Sequence, residues 1–210
     1  MDARGVGWRS SLRRDFPPSG DLAADVDALF AAHGREKTRE HVPRMAHAAV
    51  TLARWSGVDP QAARTAALLH DLGGIVAWSK ITALCQSLNL PVVDEERRVP
   101  MLLHAKLSVV VARELYGIKD ETILQAIRFH TTLHAQPTPL DMVIFLADKL
   151  EWDQGGIPPY YARLLSAVDG GLEAGARWFL DWMASPEARL LIPHPDLRAA
   201  WTAFGITPPK

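Results

Sequence analysis

Chemistry in this chain is best placed at a histidine and an aspartate standing side by side, His70-Asp71, at the end of the apolar run Ala66-Ala67-Leu68-Leu69. Neighbours on a helix point about 100° apart, so they converge on one point only at a helix end or around a centre wide enough for two metal ions. Imidazole nitrogen and carboxylate oxygen are ligands that borderline and hard divalent cations share, and a carboxylate can bridge two of them. Alone, the pair also reads as a helix C-terminus in which His favours the dipole and Asp caps the next turn. Four more positions carry His or Asp within apolar stretches of helical period: His47, His104, His130 and Asp148. Each histidine taken singly is compatible with a hydrogen-bonded core residue. Burying an ionisable group without a partner costs roughly several kcal/mol, however, and one metal cluster would account for all four.

These residues need elements to position them. Leu22, Val26, Leu29 and Phe30 mark a first amphipathic helix stopped by Gly34, and a second runs from about Thr38 to Trp55. Asp59-Pro60, an N-cap followed by the proline favoured at the first helical position, starts the helix that delivers His70-Asp71. Gly73-Gly74 ends it, as an ordinary C-cap or as a pair whose backbone N–H groups approach an anion or a metal-bound water. Trp78 to Leu88 reads as a short helix, and Asn89 to Arg98 as a polar connection whose charged run from Asp94 is expected to be solvated. From Pro100 a helix carries Met101, His104, Leu107, Ser108 and Val111 down one side. Another, capped by Asp120, aligns Ile123, Ala126, Ile127 and His130, and His134 follows four residues on, within reach of the site if the helix continues. After Pro137 and Pro139 the segment Met142 to Ala147 is the most apolar of the chain and ends at Asp148, a residue type seldom buried unless paired or ligated.

Trp178, Phe179, Trp182 and Trp201 lie in two or three further helices and read as core packing or a partner surface. Every segment has a period near 3.6 and none alternates as a strand, so the fold class is all-α. Three regions are expected: a flexible arm over residues 1–20, a helical domain over residues 21–155, and a helical extension over residues 156–210 packed on the same domain.

With 23 basic and 24 acidic residues, the formal net charge is -1. That balance makes neither nucleic acid nor an anionic membrane an expected partner. No run reaches the ~18 apolar residues of a membrane span, and the N-terminal stretch lacks the apolar core of a secretory signal. Cys85 is the only cysteine, so no intrachain disulfide forms, and a reducing, cytoplasmic setting is the expectation. No phosphate-binding glycine-rich loop is present, which removes P-loop and dinucleotide-fold chemistry.

The ordered set His47, His70-Asp71, His104, His130 and Asp148 resembles the HD-domain metal-dependent phosphohydrolases, and among them the YqeK-like family of symmetrical dinucleoside tetraphosphate hydrolases. The matching pieces are Arg44-Met45-Ala46-His47, Leu68-Leu69-His70-Asp71, Leu102-Leu103-His104, Ala126-Ile127-Arg128-Phe129-His130-Thr131-Thr132 and Leu146-Ala147-Asp148-Lys149-Leu150-Glu151. The resemblance implies an HD-domain helical bundle in which His47, His70, Asp71 and Asp148 hold one metal. His104 and His130, with Asp71 bridging, hold the second. It implies a di-iron centre, with manganese or another divalent ion able to use the same ligands. His70 and Asp71 are then catalytic, and Arg44, Arg128, Thr131 and Lys149 are the candidate phosphate-binding residues. Two such cations polarise phosphoryl oxygens and lower the pKa of a bridging water.

The implied reaction is hydrolysis of diadenosine tetraphosphate to two ADP. Three positions depart from the family: Gly74 replaces a lysine, Gln154 an arginine, and Leu133 a glycine. These changes keep open a hydrolase of another nucleotide or of a phosphomonoester, or a metal-bearing nucleotide sensor without turnover. The partner in every case is a nucleotide or other phosphorylated small molecule, and a homodimer is left open.

Overall fold

The computed structural model describes residues 3–152 and 156–207. Among the described residues the structure is helical throughout, with no strand. In chain order the helices are α1 (Ala3–Asp15), α2 (Leu22–Ala32), α3 (Glu36–Ser56), α4 (Pro60–Leu69), α5 (Trp78–Ser87), α6 (Asp94–Arg98), α7 (His104–Glu114), α8 (Glu121–Phe129), α9 (Pro139–Leu150), α10 (Tyr161–Val168), α11 (Leu172–Ala184) and α12 (Pro195–Ala203). Short 3₁₀ turns at Leu72–Ile75 and Pro100–Leu103 precede α5 and α7. None of the described helices is long and apolar enough to cross a membrane.

The bundle that carries the site is α3 packed on α4 and α9, with α8 against α9 and α7, and α7 against the turn at Leu72–Ile75. The local signals act as their chemistry requires. Asp59 caps α4 by accepting from Gln61 N, Asp120 caps α8 by accepting from Thr122 N, and Thr138 with Asp141 forms a capping box on α9. The buried face of α3 is the stripe His41, Val42, Met45, Ala46, Ala49, Leu52 and Ala53.

The C-terminal helices share one continuous apolar core with the bundle. Trp201 is fully buried, and its indole N–H donates to Leu180 O over 2.8 Å. Gly175 lets α11 approach closely, because a Cβ there would sit 2.7 Å from Val168 Cγ2 and 3.3 Å from Leu146. Phe179 and Trp182 pack with Tyr160, so these aromatics are core.

Three expectations are corrected. Residues 3–15 form a helix rather than a flexible arm: α1 lies on α5, Leu12 is buried, and Arg13 Nε donates to Glu114 O over 2.6 Å. Gly5 permits that contact, since a Cβ would meet Ser87 O at 2.7 Å. The helix has weak intrinsic amphipathicity and owes its place to tertiary partners.

The run from Asp94 to Arg98 is not simply solvated. Glu96 is fully buried, with Oε2 2.7 Å from Lys106 Nζ and Oε1 3.2 Å from His194 Nε2, and so ties α6 and α7 to the residue capping α12. The third correction concerns His47 and is described with the site. Leu133, where the resemblance implies glycine, takes a left-handed backbone at φ 56° while its side chain is fully buried. Burial offsets a conformation that costs a non-glycine residue about 1–2 kcal/mol.

Candidate metal centre and active site

Helix ends converge to make the site. His70 and Asp71 follow the last turn of α4, His104 opens α7, His130 follows α8, and Asp148 lies in the last turn of α9. A helix end lets consecutive residues such as His70 and Asp71 address one centre, which the interior of a helix does not. Backbone approach makes it compact: a Cβ on Gly73 would sit 2.1 Å from His104 O, and Gly73 N donates to Ser108 Oγ over 2.8 Å. Glycine at 73 is therefore a steric requirement of the site.

Three imidazoles are oriented in the same way. The Nδ1 of His70 lies 2.6 Å from Ala67 O, that of His104 2.5 Å from Met101 O, and that of His130 2.8 Å from Ile127 O. Each carbonyl accepts the Nδ1 proton, so each neutral ring turns an Nε2 lone pair into the centre. Asp71 divides these rings between its two oxygens. Oδ2 is 3.6 Å from His70 Nε2, while Oδ1 is 3.3 Å from His104 Nε2 and 3.7 Å from His130 Nε2. Asp148 Oδ1 lies 3.3 Å from His41 Nε2 and 3.7 Å from His70 Nε2.

Ligand atoms of His41, His70 and Asp71, and separately of Asp71, His104 and His130, lie within 4.8 Å of one another. These spacings are a little longer than the roughly 3 Å expected between adjacent donors that share one ion at about 2.1 Å. The buried Nε2 of His70 has no hydrogen-bond partner, although it faces two carboxylates. An orphaned imidazole nitrogen aimed between carboxylates is what a divalent cation would satisfy, so the residues fit a metal.

Electrostatics agree. Burial works to raise the Asp71 carboxyl, but His70, His104 and His130 hold it below its ordinary value. Burial likewise opposes ionisation of Asp148, and Lys149, His41 and His70 outweigh it. Burial lowers His70, and burial with neighbouring His70 and His104 brings His130 down to about 3. Both rings are thus neutral at neutral pH, the form in which an imidazole can hold a metal. Burial also pulls on His104, but its hydrogen bond to Asp71 outweighs that and raises it, so a metal ion would compete there with a proton.

Not every residue singled out from the sequence is here. His47 faces solvent on α3, and His41, six residues earlier, occupies the place expected of it. The two differ by about 120° around the helix axis. His41 is the clustered histidine that the sequence reading missed, and its signal was spacing: it stands i, i+4, i+8 with Met45 and Ala49 on the buried stripe.

The cavity over the centre, about 310 Å³, is lined by Thr131 and Lys149 together with Arg35, Trp78, Met101 and Trp152. Lys149 Nζ is 2.5 Å from Asp148 Oδ2. Arg44 and Arg128 do not line it: Arg44 pairs with Glu151 at 3.4 Å, and Arg128 pairs with Asp196 at 3.1 Å. His134 also leaves the site, with Nε2 3.0 Å from Asp141 Oδ2 and its ring against Phe129. Gly74 lines the cavity, and Gln154 lies outside the described residues.

Known proteins resemble this chain in sequence and in fold. A protein of Lactococcus lactis subsp. cremoris, described as an uncharacterized protein in the pepC 5′ region, is 38% identical over 64% of this chain and 68% of its own length. A symmetrical bis(5′-nucleosyl)-tetraphosphatase of Halalkalibacterium halodurans is 36% identical over 59% of this chain, the match spanning 65% of that enzyme. A Clostridium acetobutylicum crystal structure, described as a predicted HD superfamily hydrolase involved in NAD metabolism, superposes with a TM-score of 0.76 at 26% identity, covering 86% of this chain and 95% of the other. The HD domain family matches residues 38–153, more than half of the chain and a span that contains the histidine–aspartate cluster, and the chain belongs to that family of metal-dependent phosphohydrolases.

Proposed function

We propose that this protein hydrolyses a nucleotide phosphoanhydride at a two-metal centre, cleaving diadenosine tetraphosphate symmetrically to two ADP. One observation carries the two-metal reading: Asp71 turns Oδ2 towards His70 and Oδ1 towards His104 and His130. A carboxylate so divided suits a bridge between a first ion held by His41, His70, Asp71 and Asp148 and a second held by Asp71, His104 and His130. Iron is the proposed metal, and manganese uses the same nitrogen and oxygen donors. Bound there, two divalent cations supply Lewis-acid polarisation of phosphoryl oxygens and lower the pKa of water enough to make it a nucleophile near neutral pH.

This chain's own residues orient and screen the reacting phosphate. Thr131 Oγ1, 3.1 Å from His130 Nε2, belongs to a residue that lines the cavity and can donate to a phosphoryl oxygen. Lys149 neutralises Asp148 on one side and faces the cavity on the other. The cavity volume is at the lower end of ligand pockets, roughly 300–1,000 Å³. It suits one nucleotide half of the substrate with the other reaching towards solvent. Water attacks a β-phosphorus, the bond to the bridging oxygen breaks, and each product carries a diphosphate. The substrate half of this reading draws on the tetraphosphatase relative, and a cytoplasmic setting is proposed on the single cysteine of the chain.

A second reading is favoured by Gly74, which presents no side chain to the cavity: hydrolysis of a shorter nucleotide or phosphomonoester. An anaerobic assay with ferrous or manganous ion, with products separated by chromatography and metal content measured, tests both. ADP as sole product with about two metals per chain supports the first reading. Metal without ADP refutes it and moves the search to other phosphate esters.

A further inference from the structure

Two cations line the cavity over the metal centre, and they differ in what holds them. Lys149 Nζ is engaged by Asp148 Oδ2 at 2.5 Å and by His130 O at 3.3 Å. Arg35, at the N-terminal boundary of α3, has no carboxylate partner among the described residues, and its Nε is buried without a hydrogen-bond acceptor. Its guanidinium carbon lies 5.9 Å from the ring centre of Trp78. Trp78 in turn meets the His104 ring edge-on at 6.3 Å, and its Cη2 is 4.0 Å from where a Cβ on Gly74 would stand. The indole therefore covers the gap left by the missing side chain at 74 and carries the guanidinium beside the metal ligands.

A buried donor without an acceptor is tolerated where a ligand supplies that acceptor on binding. Guanidinium is planar, always charged and suited to bidentate contact with phosphate, and an aromatic face holds it without neutralising it. Thr38, in the first turn of α3, lines the same cavity. The lining carboxylates, Asp71 and Asp148, are both engaged with histidines or Lys149, so among the described residues no competing anion faces Arg35.

We propose that Arg35, held in place by Trp78, binds the phosphate chain of the substrate. Arg35 is a substrate-binding residue and Trp78 its positioning residue. The inference deepens the proposed function and rests on it for the substrate class, a nucleotide bearing at least a diphosphate.

The test uses the full chain loaded with manganous ion, and its probe is α,β-methylene-ADP, a non-hydrolysable nucleoside diphosphate titrated by calorimetry. Arg35→Gln should weaken binding about tenfold or more with metal content unchanged, consistent with loss of a charge-assisted contact. Arg35→Lys should recover part of the affinity, and Trp78→Leu should weaken binding several-fold while Arg35 is still present. The exposed Arg54→Gln, on α3 outside the cavity, should bind as the wild type does. With diadenosine tetraphosphate, Arg35→Gln should raise KM about tenfold and change kcat by less than about threefold.

Binding by Arg35→Gln within about twofold of wild type overturns the inference even if the tetraphosphate is cleaved, as does wild-type protein that does not bind the probe. Wild-type binding that is lost in Arg35→Gln, with no cleavage of diadenosine tetraphosphate, supports the inference and refutes the symmetrical-hydrolase reading instead.

Discussion

The Nε2 atoms of His104 and His130 stand 3.0 Å apart, while both Nδ1 atoms face carbonyl oxygens, those of Met101 and Ile127. With both Nδ1 protons so engaged, two lone pairs confront each other at hydrogen-bond distance. Only a proton or a cation between them, or shared with Asp71, relieves that contact. The geometry is a physical demand for positive charge at one point, and it makes the metal reading testable without any substrate.

Removing the shared carboxylate should be the most damaging single change. Asp71→Ala takes a ligand from both proposed ions, so metal content should fall from about two per chain towards zero. Hydrolysis should fall by at least the 10–100-fold typical of losing a mere supporting contact to a metal ligand. Atomic absorption and a product assay on the same preparation check it. Full activity in Asp71→Ala would sink the two-metal arrangement.

His41 and His47 share α3 but not a fate. His41→Ala should lower metal content and activity together, because His41 Nε2 faces Asp148 Oδ1 at 3.3 Å. His47→Ala, on the solvent face, should leave both unchanged and alter stability by no more than about 0.5 kcal/mol. A reversed result would restore His47 as the ligand.

Gly73→Ala should damage the centre without touching a ligand. Its Cβ would fall 2.1 Å from His104 O, so either α7 or the turn at Leu72–Ile75 must move. Overpacking of that kind costs about 1–3 kcal/mol and should displace His104 from Asp71. Thermal unfolding and metal titration of the variant give the answer, and wild-type metal affinity would refute the steric argument. Gly74→Ala is the control, since a Cβ there comes no closer than 4.0 Å to Trp78.

The buried Glu96 predicts an acid limit on stability. Burial works to raise its carboxyl, but His194, Lys106 and the Val93 N–H outweigh burial and hold it down at about 2 against an ordinary 4.5. A carboxyl depressed on folding contributes stability that is present above the unfolded value and lost as pH falls through the folded one. The window is therefore between about 4.5 and 2. The contribution is about 3 kcal/mol. Urea unfolding midpoints for wild type and Glu96→Gln should converge as pH drops through that window, with the wild type the more stable at pH 7. Parallel curves would show that Glu96 titrates normally.

Removing metal should destabilise the fold. An ion present at about 100 times its dissociation constant stabilises the native state by about 2.7 kcal/mol, so a chelator should lower the melting temperature by several degrees. Calorimetry with and without chelator reads it, and an unchanged melting temperature would argue against metal occupancy.

The all-α class was legible because every segment repeats near 3.6 residues, and His70, Asp71, His104, His130 and Asp148 were legible because ionisable residues interrupt or end apolar runs. Such a residue announces itself locally: it must be satisfied wherever the run is buried. His41 follows the polar run Glu36-Lys37-Thr38-Arg39-Glu40 and so carries no local apolar signal, and only the packing of α3 on α4 and α9 decides which of its faces is inside. Arg44 and Arg128 had plausible neighbours in sequence, yet Glu151 and Asp196 draw them away from the cavity, while Arg35 and Trp78 come from segments 43 residues apart in number and meet only in three dimensions. Residue type at the ends of apolar runs marked five of the clustered positions in the chain itself, because an ionisable group there must be satisfied; which histidine of α3 joins them and which cations line the cavity depend on packing and on pairings between distant charges, and only the tertiary structure decides those.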